Sequence, residues 1–142
     1  MSKSSFKIED GILLLYEGDE ECVTIPEGIT TIGCSAFENC RNLKKVIIPD
    51  GVETIVSEAF RGCDNLEEAD IPNSVDWIGD RAFLDCRKLK KIKLPDELRN
   101  IGVYAFGFCW EIESICISKK VSKIGDHAFC CCANLNTVII EN

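Results

Sequence analysis

The chain has 142 residues, a formal net charge of −8 at pH 7 and a hydrophobic fraction of 46%. This length fits one domain with a core of its own, and the acidic balance argues against nucleic acid or an anionic membrane surface as the partner. No apolar run reaches even half the length of a membrane span, so we expect no membrane insertion.

Residues 1–24 are predicted to form a cap that precedes the main body of the protein. Two apolar segments, 6–8 and 12–16, flank the pair Asp10-Gly11, which is typical of a tight hairpin turn. A further extended segment, 22–26, leads into the repeating pattern that follows. We expect the hairpin to cover the open end of the first repeat, as terminal caps do in repeat proteins.

Residues 25–142 contain five copies of a 23-residue pattern, which predicts a solenoid in which stacked coils share one core. Apolar columns hold the same position in successive copies: Ile25, Ile48, Ile71, Leu94, Ile117 and Ile140; Ile32, Ile55, Ile78, Ile101 and Ile124; Phe37, Phe60, Phe83, Phe106 and Phe129; Cys40, Cys63, Cys86, Cys109 and Cys132. Because one copy cannot bury enough surface to fold alone, we expect a single domain.

Each copy is predicted to form a coil with three sides. Alternating apolar residues before Pro49 predict a short strand, and Val52-x-x-Ile55 predicts a second one. A glycine follows the second strand and would allow a turn with positive φ; Val56 in that column implies either ordinary backbone angles or local strain. The spacing of three in Ala-Phe-x-x-Cys-x-x-Leu predicts one or two helical turns on the third side. The expected fold is an α/β-type repeat coil of short strands and short helical turns.

The pattern I-P-x-x-V-x-x-I-G-x-x-A-F-x-x-C-x-x-L resembles the BspA-like class of leucine-rich repeat proteins over residues 25–140. Three structural departures are Val56 for glycine, Ile112 for leucine and Ser118 for proline. The resemblance implies a right-handed leucine-rich-repeat solenoid with a parallel β-sheet face, no enzymatic activity, and a surface or secreted protein that adheres to host proteins. Since no apolar stretch near residue 1 could act as an export signal, the sequence as written predicts a cytoplasmic protein, or a secreted or cell-surface one if a signal was removed.

The ten cysteines allow two interpretations, a disulfide framework or free thiols. Five of them share one interior column, where parallel Cα–Cβ bonds would hinder bridges, so we expect buried free thiols and a reducing compartment. Outside that column are Cys22, Cys34, Cys116, Cys130 and Cys131. His127, Cys130 and Cys131 are weak candidates for a metal site because a structural zinc site needs four ligands. We therefore predict no metal and no cofactor.

Two kinds of surface are candidates for binding a protein partner. Four large aromatic residues fall outside the core columns, where they either form an interface or fold back over neighbouring coils: Trp77, Tyr104, Phe108 and Trp110. On the strand side, charges such as Lys44, Glu67 and Lys90 alternate in sign, which predicts pairing between coils. A mixed column beside them could face a partner: Ile47, Asp70, Lys93 and Cys116.

The sequence predicts a non-enzymatic protein–protein interaction module, because no nucleophile, base and orienting group can be assembled from these columns. One alternative is a redox- or metal-responsive protein that uses the outer cysteines. Another is a structural fragment of a longer repeat protein. The apolar strand 138–140 is followed by only two polar residues, so an end-to-end homodimer through this last coil is also possible.

Overall fold

The computed structural model describes residues 5–142, which form a parallel β-solenoid of about six turns. Its strands are short because each side of a coil is only a few residues long. They are β1 (Ser5–Glu9), β2 (Ile12–Glu17), β3 (Cys22–Thr24), β4 (Thr31–Ile32), β5 (Lys45–Ile47), β6 (Thr54–Ile55), β7 (Glu68–Asp70), β8 (Trp77–Ile78), β9 (Lys91–Ile92), β10 (Asn100–Ile101), β11 (Ser114–Ile117), β12 (Lys123–Ile124) and β13 (Thr137–Ile140).

The strands build two sides of the solenoid. A seven-stranded sheet has the order β1-β2-β4-β6-β8-β10-β12, and the second side consists of a four-stranded sheet, β3-β5-β7-β9, and the pair β11-β13. The hairpin predicted near the N-terminus is present: β1 and β2 are antiparallel, and Asp10 and Gly11 at the turn have φ values of 50° and 77°. All other strand pairs are parallel.

The third side contains no helix among residues 5–142, so the prediction of short helical turns is wrong. We call this side the turn side; it comprises residues 35–41 and the matching segments of the later coils. There, Phe37 N–H donates to the Ala59 carbonyl of the next coil at 2.7 Å, and the left-handed residues Ser35 and Asn39 (φ 56° and 59°) interrupt any helix. Consecutive three-residue turns produce the same spacing of three as a helix, which explains the error.

The core is a column of aromatic rings beside a column of thiols. Phe37, Phe60, Phe83 and Phe106 are fully buried, and neighbouring rings stack with centroids 4.9–5.2 Å apart. Tyr16 of the hairpin stacks on Phe37 at 5.0 Å and so continues the column at the N-terminal end. Four of the five interior thiols, those of Cys63, Cys86, Cys109 and Cys132, donate to a phenylalanine carbonyl of the preceding coil, as Cys86 Sγ does to Phe60 O at 3.2 Å. Burial is the largest of the causes that raise the pKa of the Cys109 thiol in this column.

The glycine column serves close packing of coils and not the positive φ that the sequence predicted. Gly33, Gly79, Gly102 and Gly125 all lie outside the positive-φ region, but a Cβ atom on Gly102 would lie 2.4 Å from the Asp80 backbone nitrogen. Val56 also has no positive φ, which supports ordinary backbone angles at that corner over strain there. Glycine is therefore favoured because it lets the backbones of successive coils approach.

Candidate interaction surfaces

The outward face of the seven-stranded sheet carries few charges. Since β8 alternates, Ile78 is buried in the core whereas Trp77 points outward and is 51% exposed. The strand register places five further residues in the outward column of Trp77: Ile12, Thr31, Thr54, Asn100 and Lys123. Only the last of these six is charged. We call this column, together with Asp80 beside Trp77, the Trp77 face.

Two shallow cavities lie on either side of Trp77. The larger, about 330 Å³, is lined by Thr54, Val56, Ser57, Trp77, Gly79 and Asp80. The smaller, about 160 Å³, also contains Trp77 and Asp80 and extends to Lys123. The carboxylate of Asp80 is held in place because its Oδ1 accepts the Val103 backbone N–H at 2.8 Å. The Trp77 indole and the Asp80 carboxylate thus line both cavities.

The other three aromatic candidates lie on the turn side, so the structure does not bring all four together. The ring of Tyr104 stacks on His127 with centroids 4.9 Å apart, and the Arg87 guanidinium lies 4.8 Å from the Trp110 ring centroid. Phe108 is half-buried. Tyr104 and Phe108 have φ values of 55° and 59°, an uncommon conformation for aromatic residues that the sequence pattern did not reveal.

The mixed column on the second side of the solenoid is divided between two sheets. Ile47 and Asp70 are paired in the four-stranded sheet, whereas Cys116 pairs with Ile139 in β11-β13. Lys93 follows the end of β9 and is exposed. The Cys116 thiol donates to Glu141 Oε1 at 3.4 Å, and this hydrogen bond raises the pKa of Cys116. Ile47 is half-buried, whereas Asp70, Lys93 and Cys116 are exposed.

Charge pairing between coils is present beside that column, as the alternation of signs predicted. Lys45 lies 3.6 Å from Glu68, and Lys90 lies 3.7 Å from Glu113. Both pairs are solvent-exposed, so each contributes less than about 1 kcal/mol and mainly favours the correct register.

The three weak metal candidates do not form a metal site. Within residues 5–142, no cluster of three or more histidine, cysteine or acidic side chains is arranged to hold an ion. His127 is occupied by its stacking on Tyr104. Cys130 and Cys131 are adjacent, with their Sγ atoms 3.6 Å apart, and the hydrogen bond between them raises the pKa of Cys130.

Sequence reasoning missed Ile12 and Asp80 as parts of the Trp77 face. Ile12 pairs with Thr31 across a spacing that differs from the repeat period, so no column of the repeat contains it. Asp80 shares its column with Ser57, Val103 and Asp126, and this variation looked like ordinary surface change. One signal in the sequence could have indicated this face: the outward column that contains Trp77 has no charged residue before its last member, Lys123.

Coils of this length, a parallel sheet and an interior phenylalanine column together define a leucine-rich-repeat solenoid. The chain belongs to the family described as BspA type leucine rich repeat region, whose model matches six copies over residues 16–142. In keeping with this fold, no helix among residues 5–142 is long and apolar enough to cross a membrane. No curated protein matches the sequence.

Three solved structures show the same fold. The T. pallidum leucine-rich repeat protein TpLRR is 30% identical with a TM-score of 0.88, and the match covers 96% of this chain and 67% of that one. A Bacteroides ovatus leucine-rich repeat protein is 34% identical with a TM-score of 0.81, covering 99% and 41%. The pneumococcal vaccine antigen PcpA is 24% identical with a TM-score of 0.82, covering 96% and 35%. The chain thus spans between about a third and two thirds of these structures.

Proposed function

We propose that this chain is a protein–protein interaction module that binds its partner without catalysing a reaction, in the manner of an adhesive or scaffolding protein. The observation that carries the proposal is the Trp77 face, where a half-exposed indole lies on a rigid sheet next to a fixed carboxylate. Large aromatic residues on rigid elements supply most binding energy at interfaces. By contrast, two of the three aromatic residues on the turn side already have intramolecular partners.

The test asks which side of the solenoid contacts the partner. A photo-crosslinking amino acid is placed at Asn100 on the Trp77 face, at Lys91 on the four-stranded sheet, or at the exposed Arg41 on the turn side, and each variant is exposed to cells and medium of the source organism. A discrete crosslinked protein from the Asn100 position only is the expected result. Equal, diffuse labelling from all three positions would contradict a dedicated interaction face.

A second proposal is that the outer cysteines make the protein responsive to redox conditions. The supporting observation is the 3.6 Å separation of the Cys130 and Cys131 thiols in the last coil. Oxidation by a low-molecular-weight disulfide would couple the two thiols and release two reduced thiols of the oxidant. Mass spectrometry of peptides containing both residues tests this: a loss of two hydrogens at physiological redox poise supports it, and two alkylatable thiols under all conditions oppose it.

An end-to-end homodimer through the last coil is a further proposal. Val138, Ile139 and Ile140 are 52%, 54% and 69% exposed, which is unusual for neighbouring apolar residues in a strand. Sedimentation velocity over a range of concentrations distinguishes the possibilities. A dimer that Ile140→Glu dissociates supports self-association. A monomer at all concentrations opposes it and favours an end that further coils of a longer chain would cover.

A further inference from the structure

Among residues 5–142, one exposed tryptophan side chain is covered by an arginine side chain and the other is not. Trp110 on the turn side is covered by Arg87, whose guanidinium carbon lies 4.8 Å from the ring centroid. A guanidinium over an indole is a favourable cation–π pair. Trp77 is more exposed than Trp110, 51% against 41%, yet within the described chain it has no ring or cation contact. The more exposed of the two tryptophans therefore lacks the partner that the other has.

The larger cavity beside Trp77 has the groups of a binding site for a cation, whereas Lys123 lines the smaller cavity on the other side. In the 330 Å³ cavity beside the Trp77 ring, Asp80 is the only charged lining residue, and the remaining polar groups are the hydroxyls of Thr54 and Ser57. The cavity is at the lower end of the size of ligand sites, which suits one side chain better than a whole small molecule. A carboxylate next to an indole attracts a cation by charge and by the ring quadrupole together.

The shape of the surface limits what can carry that cation. The Trp77 face lies on the outward side of a sheet, and its column also contains Thr31 and Thr54 along the solenoid axis. A sheet face admits an extended segment, whereas the shallow cavity admits a long side chain that projects from it. The net charge of −8 also favours a basic partner over an acidic one during approach.

We infer that the Trp77 face binds an extended, arginine-bearing segment of a partner protein, with the arginine side chain over the Trp77 indole and its guanidinium directed at the Asp80 carboxylate. The proposal deepens the interaction function above and depends on it. It assigns Trp77 and Asp80 as the recognition pair, and it assigns the threonine hydroxyls to contacts with the backbone of the bound segment. Arginine is preferred over lysine because its planar group can stack on the ring and hydrogen-bond the carboxylate at the same time.

The test measures binding of a fluorescently labelled hexa-arginine peptide by anisotropy at about 0.15 M ionic strength, where screening reduces non-specific attraction. Trp77→Thr copies the residue of the two preceding coils, and Asp80→Asn keeps an oxygen for the Val103 N–H but removes the charge. Asp126→Asn is the matched control because Asp126 occupies the same column two coils later, without a tryptophan beside it. Hexa-lysine is the matched control peptide.

We expect Trp77→Thr to weaken hexa-arginine binding about tenfold, within the usual range of a partly desolvated cation–π pair. Asp80→Asn should weaken it about threefold to tenfold, Asp126→Asn less than twofold, and hexa-lysine should bind more weakly than hexa-arginine. If Asp80→Asn and Asp126→Asn weaken hexa-arginine binding equally, the peptide is attracted generally to an acidic protein, and the inference is overturned. Wild-type affinity of the Trp77→Thr variant for hexa-arginine would also overturn it. If the partner still crosslinks to position 100 in the Trp77→Thr variant, the chain binds a partner but not through arginine recognition by Trp77. That result would distinguish failure of this inference from failure of the proposed interaction function.

Discussion

Replacing Gly102 by alanine tests the claim that the glycine column exists for close packing between coils. A Cβ atom there would lie 2.4 Å from both Asp80 N and Gly79 C, which is about 1 Å short of ordinary contact. Both contacts are backbone atoms, so the coils must separate locally. The hydrogen bond from Gly102 N–H to Ile78 O, now 2.8 Å, would then lengthen beyond a useful distance.

The expected cost follows from these two effects. Overpacking contributes about 1–3 kcal/mol and the lost hydrogen bond about 0.5–1.5 kcal/mol, so the free energy of unfolding should fall by about 2–4 kcal/mol. In urea this corresponds to a midpoint lower by roughly 1–2 M. Circular dichroism and tryptophan fluorescence followed together measure it and reveal whether the array unfolds in one step.

Val56→Ala is the matched control, since it places the same residue in the same column where a side chain already exists. Val56 is only half-buried, so the control should cost less than about 1.5 kcal/mol. The reasoning would be refuted if Gly102→Ala unfolded at the wild-type urea concentration. It would also be refuted if both variants lost equal stability, because the penalty would then belong to alanine in this column and not to the approach of the coils.

Three further predictions concern the turn side and the thiols. Phe108→Asn should raise the free energy of unfolding by about 0.5–1 kcal/mol, measured as a higher urea midpoint. Phe108 has a φ of 59°, which asparagine adopts more readily, as Asn39 does here. A lower midpoint would mean that the packing of the Phe108 ring outweighs the backbone strain. An aromatic disulfide reagent at pH 8 should react with the exposed Cys22, Cys34 and Cys131 in the native state and with the buried Cys63, Cys86 and Cys109 only after unfolding; native labelling of the buried set would show that the core opens. Burial raises the pKa of Cys132 to about 11 from an ordinary 9.0 and also raises that of Cys86, so the folded chain keeps these protons longer than the unfolded chain. Stability should therefore be constant up to about pH 9 and fall between about pH 9 and 11, with a smaller fall in Cys132→Ala; a urea midpoint that does not change over this range would contradict the argument.

The repeat period was enough to predict the solenoid, its parallel sheets and its interior columns, because each rests on side chains that must recur. Phe60 and Cys86 are fully buried as their columns require. The turn side could not be predicted in the same way. Its left-handed residues are as different as Ser35, Arg81 and Tyr104, since their shared property is a backbone angle and not a side chain. The spacing of three therefore indicated a helix where the chain forms a ladder of turns.

The candidate surfaces could be predicted only in part. Exposed aromatic residues were identified from columns that are otherwise polar, but the sequence could not show that Trp77 lies on a different side from the other three. It also could not show which indole has a partner, because Arg87 and Trp110 are in different coils and meet only when those coils stack. The repeat period specifies which residues share a column, but it does not specify which side chains from different columns come into contact.

Hydrogen-bond direction gives the solenoid a polarity that affects how its end can be covered. On the turn side, each coil donates towards the next: Tyr104 N–H bonds Asp126 O, and Phe106 N–H bonds Ala128 O at 2.7 Å. In the last coil the equivalent N–H groups, those of His127, Phe129 and Cys131, find no backbone acceptor among residues 5–142. A two-fold dimer that joined turn side to turn side would oppose donors to donors. Any stable cover must therefore present carbonyl groups to this side, as the N-terminal face of a coil of this same type does.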